Sequence, residues 1–190
     1  MTRNSKELIE EFKGGMKEAI EMTDLGKMSF FLGIQVQQDR GQVFVSQEKY
    51  EKEILRNFKM EECKPSTTPM NQKEKFSNED EAEKVDKKLY RSLIECLMYL
   101  IATMPDITYA VSLLSRYMHC ASEIHFKAAK RILRYTKGTI GYGVKFQPVK
   151  DFSLYGYSDS DWAGSNDDMK NTSGYCFTFG SRVFSWRSKK

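Results

Sequence analysis

Residues 122–138 read SEIHFKAAKRILRYTKG, and this stretch decides the fold of the middle of the chain. Apolar side chains recur at Phe126, Ala129, Ile132 and Leu133, with Thr136 continuing the row, while basic ones recur at Lys127, Lys130, Arg131, Arg134 and Lys137. Both series step mostly by three or four, the spacing of neighbours on one side of an α-helix. One face can therefore pack while the other carries roughly one cation per turn. Gly138 supplies a helix-stop signal. Two readings of the cations stand side by side. They form a solvated face, or they lie along a polyanion and displace its counterions.

Two more helical patterns come before this one. Tyr90, Leu93, Ile94, Leu97, Met98, Leu100 and Ile101 share a wide face, and a second helix opens at Pro105 with Ile107, Ala110, Val111, Leu114, Tyr117 and Met118. Upstream of them, the run from Gln72 to Lys88 is crowded with Lys, Glu and Asp and leaves little to bury, so it reads as a linker and the main internal boundary. Earlier still, Leu8, Ile9, Phe12, Met16, Ala19 and Ile20 give a helical stripe from Ser5 to Ile20. A hairpin follows, with Phe30 to Val36 returning through Asp39-Arg40-Gly41 to Val43-Phe44-Val45. Gly33 within the first strand marks a bulge or a close backbone approach. Ser46 is the expected N-cap of a helix carrying Tyr50, Ile54, Leu55 and Phe58.

Downstream the period changes to two. Phe152 to Asp161, Ser173 to Phe179 and Arg182 to Trp186 predict an antiparallel three-strand meander, with no later helix in the sequence to cover it. Its edge, with Val183, Phe184 and Trp186, invites association. The fold class is therefore α+β.

Composition narrows the function classes. Of the 190 residues, 40% are hydrophobic and 29% charged, enough for a core, and no apolar run approaches the roughly 20 residues that span a bilayer. The first twenty residues lack the apolar segment of a signal peptide, so an intracellular location, cytoplasmic or nuclear, is expected. Four cysteines without a C-x-x-C pair point to reduced thiols and away from a zinc site. From Arg116 to Lys150 there are eight basic residues against one acid, Glu123, a local +7 within a net +4, which leaves −3 for the remainder.

Asp159 and Asp161 sit where a strand runs into a loop. Carboxylates there can hold a divalent metal, but Asp in turns more commonly bonds its own backbone. His119 and His125 read as surface or capping residues, Trp162 and Trp186 as packing residues. The string Arg131-Ile132-Leu133-Arg134 matches R-x-L-R, which resembles the host-targeting pattern of oomycete secreted effectors. Inside an amphipathic helix it is expected by chance.

A set of segments, in order along the chain, resembles the Pol polyprotein of copia-type LTR retrotransposons. They are Phe31-Leu32-Gly33-Ile34, Ser46-Gln47-Glu48-Lys49-Tyr50, residues 64–69 (KPSTTP), residues 90–94 (YRSLI), Pro105-Asp106-Ile107, residues 113–116 (LLSR), residues 128–138, residues 157–164 (YSDSDWAG), residues 172–175 (TSGY) and residues 185–190 (SWRSKK). The resemblance implies a reverse transcriptase palm end with a primer-grip-like hairpin at 1–46, including Phe31, Leu32 and Gly33. It implies a thumb helix at 47–69, the charged linker at 70–88, a three-helix thumb and connection region at 89–147, and a truncated RNase H-like sheet at 151–190.

Asp159 would match the first metal-binding catalytic aspartate, with Mg²⁺ in the intact parent. Lys127, Lys130, Arg131, Arg134 and Lys137 would contact an RNA–DNA hybrid. The family's aromatic-x-Asp-Asp polymerase turn does not occur in this sequence, and the RNase H motif with the catalytic Glu would follow Lys190. Glu95 stands where Gly is usual, which places a carboxylate beside a packed face, and Met104 stands where Arg is usual. The expectation is a catalytically silent, degenerate fragment without tightly bound metal and with residual nucleic-acid affinity. The alternatives are an effector-like or interaction protein, and an RNase H-type nuclease completed by a second chain.

Overall fold

The computed structural model describes residues 5–39, 41–71, 74–148, 152–161, 167–180 and 182–189. In chain order the elements are α1 (Lys6–Ala19), β1 (Phe30–Phe31), β2 (Ile34–Asp39), β3 (Gln42–Ser46), α2 (Glu48–Asn57) and α3 (Lys87–Leu100). A 3-10 turn (Pro105–Ile107) leads into α4 (Thr108–Ser115), followed by α5 (Glu123–Gly138), β4 (Gly143–Phe146), β5 (Leu154–Ser160), β6 (Ser173–Phe179) and β7 (Arg182–Lys189). Arg40 of the expected turn, Gln72 and Lys73 of the linker, Trp162, Ala163 and Gly164 of the strand-end motif, and Lys190 lie outside the described residues.

The core is helical. Tyr90, Leu93, Ile94, Leu97 and Leu100 line one face of α3. They meet Ala110, Val111 and Leu114 of α4 and Ala129, Ile132 and Leu133 of α5, with Ile54 and Leu55 of α2 in the same cluster. Each such burial contributes about 1.5–3 kcal/mol. The Tyr90 hydroxyl donates to the Leu114 carbonyl at 2.9 Å, so its polar end is satisfied inside the core. Burial holds its phenol far above the ordinary range. The starts of α3 and α5 are capped by side chains. Asp86 Oδ1 accepts the Lys88 N–H at 2.8 Å, and Ser122 and His125 form a reciprocal capping box at the start of α5.

Four strands form an antiparallel sheet in the order β1-β2-β3-β4, with Val45 opposite Val144 and Val43 opposite Phe146. Strand β4 has no counterpart in the sequence reading. It brings the chain after α5 back to the hairpin, so one sheet joins residues from both sides of the charged segment. The expected first strand is itself broken. Leu32 and Gly33 both have positive φ (46° and 74°) and form a two-residue turn between Phe31 and Ile34, which pair across it. Of the two readings of Gly33, the close approach is the one seen: a Cβ there would lie 2.6 Å from Tyr99 Oη, which donates to the Leu32 carbonyl.

Three further expectations are corrected. Ser46 ends β3, and Gln47 is the N-cap of α2. Gln47 makes no side-chain cap bond, because its Oε1 is buried and accepts from Thr103 Oγ1 at 2.8 Å; the Lys49 N–H is taken instead by Gln35 Oε1 of β2. The charged segment is not empty of core residues. Phe76 is buried beside Tyr117 and His125, the Val85 N–H bonds to the Ala121 carbonyl, and Asp80 accepts from Ser122 Oγ. Glu95 is solvent-exposed, so its carboxylate stays hydrated.

Strands β5, β6 and β7 pair in that order as an antiparallel sheet, with a register shift at Phe177/Thr178. The sheet is not left wholly without cover, contrary to expectation, because earlier helices pack along its β7 edge. Trp186 Nε1 donates to the Ile101 carbonyl at 2.9 Å and Ser112 Oγ to the Ser188 carbonyl at 3.2 Å. Arg116 Nη2 bonds Thr172 Oγ1 at 2.7 Å. Phe177, Phe179 and Phe184 remain exposed, the last two stacked 4.6 Å apart.

Candidate nucleic-acid interface

The inward row of α5 orients the outward one. Ile132 and Leu133 are fully buried, which turns Lys127, Lys130, Arg131, Arg134 and Lys137 away from the core. None of these five cations meets a carboxylate within ion-pair distance among the described residues. They are not equally free, which the sequence did not show. Lys127 is exposed, Lys130 Nζ sits 4.2 Å from the Phe126 ring centroid, and Lys137 is half-buried beside Glu61 and Ile140. Arg131 Nη2 bonds Thr68 Oγ1 at 2.8 Å, and Arg134 Nε donates to the Lys64 carbonyl at 2.7 Å. The Ser66 N–H returns to the Arg134 carbonyl at 3.1 Å.

Residues 64–69 thus lie along α5. Gly138 has ordinary helical φ. The left-handed residue is Gly141 (φ +81°), and a Cβ at Gly138 would lie 3.3 Å from Pro65 Cβ. Gly138 therefore serves close packing of the 64–69 segment, not reversal of the chain. The R-x-L-R string occupies this same turn, its two apolar members in the core and its two arginines on the segment.

The second candidate is the strand end. Asp159 is exposed, and its Oδ1 accepts the Ser160 N–H at 2.9 Å. Asp161 accepts from the Thr172 N–H and donates its own N–H to the Thr172 carbonyl at 3.1 Å, which closes the last rung of the sheet. Both line a cleft of about 620 Å³ together with Asp106, Tyr109, Trp186 and Arg187. Asp106 is engaged by the Tyr135 hydroxyl, whose pKa is pushed up to about 12 by burial and by that carboxylate. Among the described residues no three Asp, Glu, His or Cys side chains come together as a metal site. For the Mg²⁺ that the resemblance implies, Asp106, Asp159 and Asp161 line one cleft but do not close into a three-ligand set among the described residues, and Asp106 and Asp161 each already accept a protein hydrogen bond.

Of Phe31, Leu32 and Gly33, expected as a primer grip, the first two are exposed at the first turn, with Leu32 71% exposed, and Gly33 is half-buried against Tyr99. Sequence reading missed Glu51. It is fully buried on α2, its Oε2 accepts the Gly141 N–H at 3.0 Å, and its carboxyl is pushed up to about 7, chiefly by burial. Its spacing from Ile54 and Leu55 on the core face was the available signal.

A family model described as reverse transcriptase (RNA-dependent DNA polymerase) matches residues 1–72. Over all 190 residues the chain is 37% identical to the retrovirus-related Pol polyprotein from transposon RE1 of Arabidopsis thaliana, of which it spans 13%. Also over its full length it is 36% identical to an uncharacterized mitochondrial protein of Arabidopsis thaliana, of which it spans 79%. The chain belongs to the copia-type retrotransposon Pol polyproteins. A third similar protein is a secreted RxLR effector of Plasmopara viticola, 42% identical over 102 residues, which are 53% of this chain and 72% of that protein. No solved structure matches. No helix among the described residues is long and apolar enough to cross a membrane.

Proposed function

We propose that this copia-type Pol segment holds an RNA–DNA hybrid or a related nucleic acid on the basic face of α5 and does not itself cut or copy it. In this reading residues 1–46 are the palm end, 47–147 the thumb and connection, and 151–190 the opening strands of an RNase H-like unit. The carrying observation is the row of α5 cations that meets no carboxylate in the described structure. A row of this kind gains free energy from counterion release when it neutralises phosphates. The catalytic half of the proposal rests on the strand end, where among the described residues no three metal-ligating side chains come together around Asp159.

The test is a hybrid incubated with the purified chain and Mg²⁺, with retention and cleavage read on the same gel. Retention that weakens steeply with salt, without cleavage, is expected. Cleavage abolished by Asp159→Asn would instead establish a nuclease, and cleavage only after a second chain is added would establish the two-chain version. The effector similarity favours one further reading, an interaction protein secreted into a host. Export of a tagged chain from cells would support it, and retention inside them would count against it.

A further inference from the structure

The contact between residues 64–69 and α5 is a second use of the same arginines. Thr68 is exposed, lies outside any helix or strand and is followed by Pro69. Its Oγ1 accepts from Arg131 Nη2 at 2.8 Å, so the hydroxyl's own proton is not spent on that contact. The segment is pinned in register by Arg134 on the Lys64 carbonyl and by Ser66, whose N–H reaches the Arg134 carbonyl and whose Oγ bonds the Thr68 carbonyl at 2.9 Å. Arg131 Nε is buried and has no acceptor among the described residues, a costly state for a charged donor. On the helix surface Lys127 and Arg134 are the four-back and three-on neighbours of Arg131. Thr68 therefore points a modifiable oxygen into the middle of an uncompensated cationic row.

We propose that Thr68 is a phosphorylation site for a proline-directed kinase, and that the α5 row captures the phosphate and is thereby closed to nucleic acid. In the transfer, Thr68 Oγ1 attacks the γ-phosphorus of ATP. The Oγ1–P bond forms as the bond from that phosphorus to the β–γ bridging oxygen breaks. ADP leaves with the electron pair, and the hydroxyl proton passes to the kinase's base. The product carries about −1.5 to −2 charge and three strong acceptors, placed where Arg131 can bind them through two N–H groups. The nucleic-acid consequence rests on the function proposed above; the capture of the phosphate does not.

The experiment treats the purified chain with a proline-directed kinase and ATP. Mass spectrometry is expected to find one phosphate on Thr68, absent from Thr68→Val. Phosphorus NMR over a pH titration is expected to show the second phosphate ionisation shifted to lower pH, and Arg131→Gln is expected to return it toward that of a free phosphothreonine peptide. Hybrid affinity at low salt should fall at least tenfold on phosphorylation. Failure of Thr68 to accept phosphate, or a phosphate titration that Arg131→Gln leaves unmoved, overturns the proposal. Unchanged hybrid affinity in a chain that binds before modification overturns the closing step. A chain that never binds a hybrid, yet shows the Arg131-dependent titration, refutes the proposed function and upholds phosphate capture.

Discussion

The helical core and the three-strand sheet are built from similarly apolar sequence and end in opposite states. In α3, Tyr90, Leu93, Ile94, Leu97 and Leu100 are buried, whereas every residue of β5 is exposed. The difference is layering. Each helix of the core faces two or more others, so its 3.6-residue stripe is enclosed, while the sheet meets helices mainly along β7 and leaves Phe177, Phe179 and Phe184 partly exposed. The backbone ladder defines the sheet, and a few polar ties fix its position. Stability is therefore expected to reside in α2–α5, with the sheet as a lightly attached passenger.

Substitutions in the two regions should differ in effect, from several kcal/mol in the core to almost none on the sheet. Leu97→Ala or Ile132→Ala should destabilise the chain by about 2–5 kcal/mol, seen as a lower denaturation midpoint in urea, because a buried side chain leaves a cavity in a many-sided core.

Next comes Glu51, buried in the same core. Its folded pKa of about 7 exceeds the ordinary 4.5. Between these values the folded chain keeps a proton that the unfolded chain has released, so Glu51's own contribution to stability is fully present below pH 4.5 and is lost as pH rises through 7. Glu51→Gln should flatten that fall, a change of roughly 1–3 kcal/mol, in urea titrations repeated from pH 4.5 to 8.

Gly33→Ala places a methyl group against Tyr99 Oη at positive φ and should cost about 1 kcal/mol, with loss of hydrogen-exchange protection around the first turn. The smallest effect is expected from Phe179→Ser with Phe184→Ser on the open sheet face. This pair should change the unfolding free energy by no more than about 0.5 kcal/mol while reducing light scattering on concentration. A large loss of stability in that double variant would mean that the two regions are less different than described.

What the sequence revealed follows the same division. The helices of the core were legible because burial on one side writes a long, regular stripe, and α5 was readable to its last residue. The three late strands were legible from alternation and short turns. Strand β4 was not, since four residues carry too little pattern and its partner lies far back in the chain. Phe76 was masked by the charges around it; one aromatic residue docking on Tyr117 and His125 leaves no periodicity. The stripe of α1 was readable as a helix, yet no residue of it is buried among those described, because amphipathicity foretells an element and not its neighbour. At the candidate interface, the cations could be read from spacing. That Arg131 and Arg134 hold residues 64–69 could not, for the contact joins segments distant in sequence.

The most direct test of the account is the salt dependence of hybrid binding, measured for the intact chain and for a variant with Lys127, Lys130 and Lys137 changed to Ala. These three exposed or half-buried lysines leave the Arg131 and Arg134 contacts in place. Their loss should weaken binding and flatten the slope of log affinity against log salt by about 2–3, close to 0.9 for each phosphate contact removed. An unaltered slope in a variant that remains folded would show that α5 is only a solvated face.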